Sequence, residues 1–381
     1  MTKPLAKGYR MEELLRRYFI RGGYFTVRGV PFVYDDFDIT DIDIWLYDRP
    51  SSVSRHRIIV DAKNKSTPKA IERIFWTKGL QDVLGVEQSI VATTDRRPAV
   101  SDFGKEQNIL ILDGFFLDRL ENSPGGEPFE NRLTEEQFVD LLGTYHPTKD
   151  GGDWKGRYKG AKRPLARDLG YNAVNGWLID AKFFAEQAHL VVTHREVALR
   201  LLYMFVSFIA IAVDFVMKDL AFSEASVKLA TLNDGLRYGS QGPTGTKELL
   251  GLATGLIEQY APEQRVLGTR IREGLRRELE AIPTKALAEF FAKQSVSHEL
   301  FNIAKELEAA AYNATFIAPN TLSAATKGIL GVLLDFWELD RKAVLQNGHT
   351  TKSDQASAPD GSKGVAPVQT PLPGIDVKDK H

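Results

Sequence analysis

Three aspartates and one lysine stand in short apolar segments where charged side chains are uncommon. The stretch DITDIDIWLYDRPSSVSRHRIIVDAKNK, residues 38–65, contains Asp41, Asp43, Asp61 and Lys63 beside runs of isoleucine and valine. Side chains alternate between the two faces of a strand, so Asp41, Asp43 and Trp45 share one face. The isoleucines share the opposite face, which we expect to be the core face. Asp61 and Lys63 likewise share one face of the second run.

Carboxylates held close together near a core repel one another unless a cation or a proton lies between them. Pro50 and the serines after it connect the two runs, which predicts antiparallel neighbours. Asp43, Asp61 and Lys63 would then converge, and a divalent metal ion between the carboxylates is the simplest way to offset their repulsion. The alternative interpretation is an edge hairpin whose charges all face solvent.

The elements around these residues follow a regular order. Apolar residues at helical spacing near the start of the chain predict a helix, and strand-like segments follow it. After residue 65 the pattern continues as helix, strand, helix, strand. Helices that alternate with fully apolar strands predict an α/β domain over residues 1–120.

This order resembles the PD-(D/E)xK nuclease superfamily, in particular its Mrr-like and Holliday-junction-resolvase-like branches. The residues that carry the resemblance are Glu12 or Glu13 on the first helix, Asp43 in a strand, and Asp61 with Lys63 in the next. The segments TKGLQDVLG, IVATTD and ILILDGFFL are also similar to the family's ending, although the proline of the family's name is absent. The resemblance covers roughly residues 1–120 and implies a restriction-endonuclease-like fold, with a central mixed sheet flanked by helices.

The resemblance also implies a metal-dependent active site that uses Mg²⁺, with Mn²⁺ able to substitute. Carboxylate and carbonyl oxygens are the ligands that Mg²⁺ prefers. It leaves open the choice between Glu12 and Glu13 and the choice between Asp41 and Asp43. The implied catalytic residues are Glu12, Asp43, Asp61 and Lys63, and the implied metal ligands are Glu12, Asp43, Asp61 and the backbone carbonyl of Ala62.

Residues 121–167 predict a linker that contains a short helix and a basic arm. The arm, KDGGDWKGRYKGAKRPLAR, has seven basic and two acidic residues interleaved with glycine, Trp154 and Tyr158. Such a segment is typical of an arm that contacts a nucleic-acid backbone and stacks on bases. A solvated linker is the alternative. The predicted nucleic-acid-binding residues are Lys65, Lys155, Arg157, Lys159, Lys162 and Arg163.

Residues 168–346 have helical periodicity in almost every segment and predict an all-α domain. Its most apolar run, residues 201–217, contains Asp214 and is short for a bilayer span, so we expect a buried helix and no membrane contact. Residues 347–381 lack aromatic side chains and contain several prolines, which predicts a disordered tail.

The composition is that of a globular protein. The chain has 381 residues, a formal net charge of −1 and no cysteine, so a nucleic-acid partner must be held by a local basic patch. The absence of cysteine and of an apolar signal core near the start leads us to expect a cytoplasmic protein.

Together with the resemblance, these features predict a Mg²⁺-dependent endonuclease that acts on nucleic acid, with DNA preferred, in defence against phage or plasmids. The alternative is a catalytically inactive nuclease fold that binds nucleic acid, or a protein partner through its helical domain. A homodimer stays open, since no residue argues for or against it.

Overall fold

A five-stranded mixed sheet forms the N-terminal part of the molecule, with its strands in sequence order. The first three strands pair antiparallel and the last three pair parallel. The predicted mixed sheet and the antiparallel connection between the two charged strands are therefore confirmed. The strands are β1 (Phe25–Tyr34), β2 (Phe37–Asp48), β3 (His56–Lys63), β4 (Gln88–Thr93) and β5 (Leu110–Leu112).

The computed structural model describes residues 6–346 except 36, 65–66, 68, 123–130, 144–151, 191 and 261–264. The predicted tail, residues 347–381, lies outside the described residues, as does Lys65. Within the described part, the predicted order of helices and strands over the first 112 residues is confirmed. The helices beside the sheet are α1 (Lys7–Arg21), α2 (Ala70–Leu84), α3 (Pro98–Glu106) and α4 (Gly114–Glu121).

The rest of the described chain is helical, as its periodicity predicts. Short helices replace part of the predicted linker, and longer ones follow. They are α5 (Glu135–Gly143), α6 (Trp154–Ala161), α7 (Arg163–Arg167), α8 (Tyr171–Leu190), α9 (Arg195–Met217), α10 (Ala225–Tyr238), α11 (Gly242–Tyr260), α12 (Arg265–Ala281), α13 (Thr284–Ala292), α14 (Gln294–Tyr312), α15 (Ala324–Phe336) and α16 (Arg341–Leu345).

Helix α9 is the centre of the helical part. By length and composition it could cross a membrane, yet 89% of its most apolar window is buried inside the protein. It packs against α8 and α14. A helix that is apolar all round and enclosed by other helices is a buried core helix, which confirms the predicted buried helix.

Both faces of β2 are buried, whereas we expected only the isoleucine face to be a core face. Ile44 and Leu46 pack against α1, in a cluster with Met11 and Leu15. On the other face Trp45 and Tyr47 are fully buried in the same hydrophobic core as the helices α8, α9 and α14. The expectation was wrong because alternation shows which side chains share a face but not what covers it.

Sheet and helices share this core, and the described residues up to 346 belong to one compact unit. The predicted boundaries near residues 120 and 167 stay predictions about the sequence segments.

Buried charges also link the sheet to the helices. Arg16 on α1 donates to Glu308 on α14 at 2.8 Å, and both side chains are at most 5% exposed. Arg28 on β1 binds Glu13, whose carboxylate also accepts from the backbone N–H of Glu135 at 3.0 Å. Each of these buried charges therefore has an opposite charge beside it, which offsets the cost of removing it from water.

Glu135 lies at the centre of this network. Its carboxylate accepts from Lys162 Nζ at 2.5 Å and from the hydroxyls of Tyr312 and Tyr158, and Arg16 lies 3.7 Å away. Burial raises the pKa of this carboxyl, but Lys162 and Arg16 outweigh burial and lower the pKa to about 2, below the usual 4.5.

The depressed pKa predicts how stability depends on pH. The ionised Glu135 contributes stability above about pH 4.5, and this contribution is lost as pH falls toward 2. We expect Glu135→Gln to lower the free energy of unfolding by about 3–5 kcal/mol at pH 7, because Lys162 loses its carboxylate partner. The difference from wild type should shrink steadily between pH 4.5 and 2, measured by urea unfolding.

The matched control is Glu186→Gln, which removes an exposed carboxylate 3.8 Å from Lys182. Exposed pairs contribute about 0–1 kcal/mol, so this variant should stay close to wild type at every pH. A Glu135→Gln deficit that is the same at pH 3 as at pH 7 would contradict the assignment.

Candidate functional site

Strands β2 and β3 part at the position where the charged residues lie. Their pairing runs from Asp48↔His56 to Ile44↔Val60 and ends there, whereas β2 continues along β1. Beyond the last pair, Asp43 Oδ2 accepts a hydrogen bond from the backbone N–H of Ala62 at 2.7 Å. The Asp43 side chain thus takes the place of a backbone partner at the fork between the strands.

Asp43, Asp61 and Lys63 meet at this fork, as the alternation of their strands predicts. Lys63 Nζ lies 3.4 Å from Asp43 Oδ2 and 3.8 Å from Asp61 Oδ1. The two carboxylates are 16% and 11% exposed, and the lysine is 34% exposed. An edge hairpin with fully solvated charges does not describe this arrangement.

Burial raises the pKa of Asp43, although Lys63 and the Ala62 N–H lower it, and the neighbouring Asp61 carboxylate raises it further. Two partly desolvated carboxylates with one ammonium between them leave one negative charge unmatched, which a second cation offsets.

Arg73, in the first turn of α2, already supplies a cation to Asp61. Its Nε donates to Asp61 Oδ2 at 2.7 Å, and its Nη2 contacts Asp61 Oδ1. This is a two-pronged ion pair, the strongest geometry for an arginine and a carboxylate. A metal ion bound by Asp61 would therefore compete with the Arg73 guanidinium.

Glu12 lies near the fork but does not join it. Its carboxylate binds Arg28, with Nη2 at 2.5 Å and Nε at 3.2 Å. Burial raises the pKa of Glu12, Arg28 lowers it, and Asp43 raises it. Glu12 and Asp43 line one cavity of about 340 Å³, while Glu13 is 2% exposed and points into the buried network. Of the two glutamates, Glu12 is the one placed beside Asp43.

The residues at the fork suit Mg²⁺ in type but form a small ligand set. Among the described residues, no group of three or more acidic, histidine or cysteine side chains is arranged to hold a metal. Mg²⁺ in proteins commonly takes only one or two carboxylates and keeps several waters, so Asp43 and Asp61 meet its requirement. In a strand the N–H and C=O of one residue point to the same side, so the Ala62 carbonyl faces Asp43 as its N–H does.

The choice between Asp41 and Asp43 also has a structural counterpart. Asp41 is exposed and lines the same cavity, while Asp43 makes the contacts with Ala62 and Lys63. The catalytic and metal-binding roles of these residues stay predictions.

The predicted basic arm folds as helices α6 and α7, and its aromatic residues are not available for stacking on bases. Trp154 and Tyr158 are at most 1% exposed because they pack in the helical core. Lys162 is 2% exposed and donates to Glu135 and to the Arg28 carbonyl. The structure therefore gives Lys162 a partner inside the protein instead of a position on the surface.

The other predicted nucleic-acid-binding residues of the arm divide into two groups. Arg157 is half-buried, binds Asp180 at 2.7 Å and lies over the Phe183 ring. Three residues are exposed, and one of them, Lys159, lines the cavity that contains Asp43. These three are Lys155, Lys159 and Arg163.

The sequence patterns did not predict the two arginines that form ion pairs with acidic residues of the site, Arg73 with Asp61 and Arg28 with Glu12. Arg73 could have been found, because the helix after a parallel strand begins near that strand's carboxyl end, next to Asp61. Arg28 lies on β1, the strand that follows α1. No local sequence pattern predicts its contact with Glu12.

Comparisons with protein-family models, with curated proteins and with solved structures find no match to this chain. The nuclease resemblance therefore rests on the residues and the order of elements quoted above.

A Mn²⁺-binding measurement tests the predicted roles of the two strand aspartates. We expect Asp43→Asn to weaken Mn²⁺ binding at least tenfold, because it removes one of the two carboxylates at the fork. Asp41→Asn should leave the affinity within about twofold, since Asp41 is exposed and makes no contact with Ala62 or Lys63. Electron paramagnetic resonance of free Mn²⁺ measures both affinities.

Arg73→Gln serves as a test in the opposite direction. It removes the guanidinium that competes for Asp61, so Mn²⁺ should bind more tightly than in wild type. Equal Mn²⁺ affinity in all three variants and wild type would show that the fork is not the metal site.

Proposed function

We propose that the protein is a Mg²⁺-dependent nuclease that hydrolyses phosphodiester bonds, with DNA as the preferred substrate. The observation that carries the proposal is the convergence of Asp43, Asp61 and Lys63 at the fork between β2 and β3. Two carboxylates suited to a divalent cation stand within reach of one ammonium suited to a phosphate. The resemblance to PD-(D/E)xK nucleases supports the same chemistry and favours an endonuclease in defence against phage or plasmids.

Each residue has a distinct task in this proposal. Asp43, Asp61 and the Ala62 carbonyl would hold Mg²⁺. When bound, Mg²⁺ lowers the pKa of a coordinated water and offsets charge on the phosphoryl oxygens. Lys63, which is partly exposed between the two carboxylates, orients the attacking water or donates to a phosphate oxygen. Glu12 joins the ligands only after it leaves Arg28.

The exposed cations Lys155, Lys159 and Arg163 are suited to contact the phosphate backbone. Lys159 lines the cavity beside Asp43, so a strand held there passes the fork. Lysine and arginine contacts to phosphates position a nucleic acid without reading its sequence. The proposal therefore predicts no base specificity from this surface.

A second candidate is a nuclease fold without activity that binds nucleic acid or a protein partner through its helices. Two specific observations favour it: Arg73 forms an ion pair with Asp61, and Arg28 forms one with Glu12. Both ion pairs neutralise acids that an active site needs for its metal. Exposed apolar side chains on α11 and α12 would serve as the partner surface, among them Leu249, Leu252, Leu256 and Ile271.

A cleavage assay separates the two candidates. Purified protein is incubated with plasmid DNA, single-stranded DNA and RNA in Mg²⁺, Mn²⁺ or EDTA. Asp61→Asn and Lys63→Ala should each abolish metal-dependent cleavage. In EDTA, Asp61→Asn should bind DNA as well as wild type or more tightly, because it removes a negative charge and releases Arg73. Lys63→Ala should bind more weakly, since it deletes a cation beside the phosphate.

The matched controls are Asp82→Asn and Lys78→Ala, which break an exposed ion pair on α2. Both should cleave like wild type. Retained cleavage in a folded Asp61 or Lys63 variant would refute the catalytic assignment, and an inactive wild type that still binds DNA would support the second candidate.

The basic surface is tested by the salt dependence of DNA binding. Changing Lys155, Lys159 and Arg163 together to glutamine should weaken binding and reduce the slope of log K against log salt by about 2–3, since each phosphate contact contributes about 0.9. Fluorescence anisotropy with a labelled duplex measures the slope.

The control triple variant changes three exposed lysines on other helices, Lys285, Lys327 and Lys342, and should keep the wild-type slope. If both triple variants reduce the slope equally, the arm has no special role.

A further inference from the structure

A second cavity lies at the opposite end of β2, away from the fork. Its volume is about 400 Å³, and it opens between the β2–β3 connection and the starts of α10 and α14. Arg49 follows β2 directly, six residues beyond Asp43, which is roughly 20 Å along an extended strand. The polar residues that line the cavity include Arg49, Ser52, Ser223, Lys228, Gln294 and His298.

Arg55 lines the cavity and forms a buried ion pair with Asp214. Asp214 on α9 is fully buried and accepts from the Tyr47 hydroxyl at 2.7 Å and from Arg55 Nε at 2.6 Å. The other two guanidinium nitrogens of Arg55 donate to Asp214 Oδ1 and to the carbonyls of Ser51 and Ser54. The pair of Arg55 and Asp214 is therefore neutral and adds no net charge to the cavity.

Arg49, which also lines the cavity, has donor nitrogens that these contacts do not use. Its Nη1 contacts Asp214 Oδ1 at 3.0 Å and donates to the Ser297 and His298 carbonyls, also at 3.0 Å. Within the described residues its Nε and Nη2 make no hydrogen bond. These contacts fix the guanidinium at the first turn of α14 and leave two nitrogens for a ligand.

Lys228 provides a second cation. It is half-buried in the cavity wall, and within the described part of the chain it forms no ion pair. The lining contains Arg49, Arg55 and Lys228 but no carboxylate. Because Asp214 balances only one of these three cations, two positive charges are left without a negative partner.

Backbone donors add to this positive potential. Helices α10 and α14 both begin at the cavity, and neither first turn has a side-chain cap. Uncapped N–H groups at the start of a helix favour an anion. The opposite wall is apolar, formed by Met217, Ala221 and Ala292.

We propose that this cavity binds a small molecule that carries a phosphate group, of the size of a mononucleotide. Arg49 and Lys228 hold the phosphate, the serine hydroxyls donate to it, and the apolar wall receives the rest of the ligand. A volume of about 400 Å³ lies in the range of small-ligand sites. The proposal does not depend on nuclease activity, because none of its residues lies at the fork.

Isothermal titration calorimetry of the full chain at constant ionic strength tests the proposal, with inorganic phosphate, AMP and ATP as probes. We expect a nucleotide to bind more tightly than phosphate alone. Lys228→Gln should weaken binding about tenfold or more, because it removes a charged donor. The matched control Lys342→Gln, an exposed lysine on α16, should bind like wild type.

Loss of nucleotide binding in Lys63→Ala but not in Lys228→Gln would place the nucleotide at the fork and overturn the proposal. Arg49→Gln is less informative alone, since it disturbs Asp214, so circular dichroism must first show that it folds. The proposal is overturned if none of the three probes binds, if Lys228→Gln binds as well as wild type, or if only a DNA oligonucleotide binds through Lys228.

Discussion

The buried ionic network that joins α1, β1, α5 and α14 is the constraint on which the rest of the structure depends. A buried charge is tolerated only beside an opposite charge. Arg16 must therefore face Glu308, and Arg28 must face Glu13. Because the partners lie on different elements, their pairing fixes how the sheet packs against the helices. Apolar packing supplies most of the stability, but it is non-directional, and the ion pairs select one register among many.

This constraint reaches the candidate site through α1 and β1. Glu12 and Glu13 are neighbours on one helix, yet Glu13 is enclosed in the network and Glu12 faces the cavity beside Asp43. Arg28 contacts both carboxylates. In the proposed metal site Glu12 would leave Arg28, and Arg28 would keep Glu13 as its buried partner. Arg73 is the freer of the two competing cations, since its side chain is 27% exposed against 2% for Arg28.

Local patterns in the sequence predicted the order of the elements and the meeting of Asp43, Asp61 and Lys63. These features depend on alternation and on connections of a few residues, which a sequence displays directly. The burial of Trp154 and Lys162 could not be predicted in the same way, because a glycine-rich basic segment has the composition of an exposed arm. The contact of Arg16 with Glu308 spans 292 residues. Pairing at such separation depends on the packed fold and leaves no local signal.

The positions of the charged side chains along β2 depend on the buried stretch that follows Asp43. Residues 44–47 are fully buried, with side chains in cores on both faces of the sheet. Charged side chains therefore lie outside this stretch, with Asp43 directly before it at the fork and Arg49 directly after β2 at the second cavity. A packed stretch cannot slide without opening both cores, so β2 is a rigid spacer between the ends. A ligand bound in the second cavity should therefore stabilise the whole fold by mass action and leave the geometry of the fork unchanged.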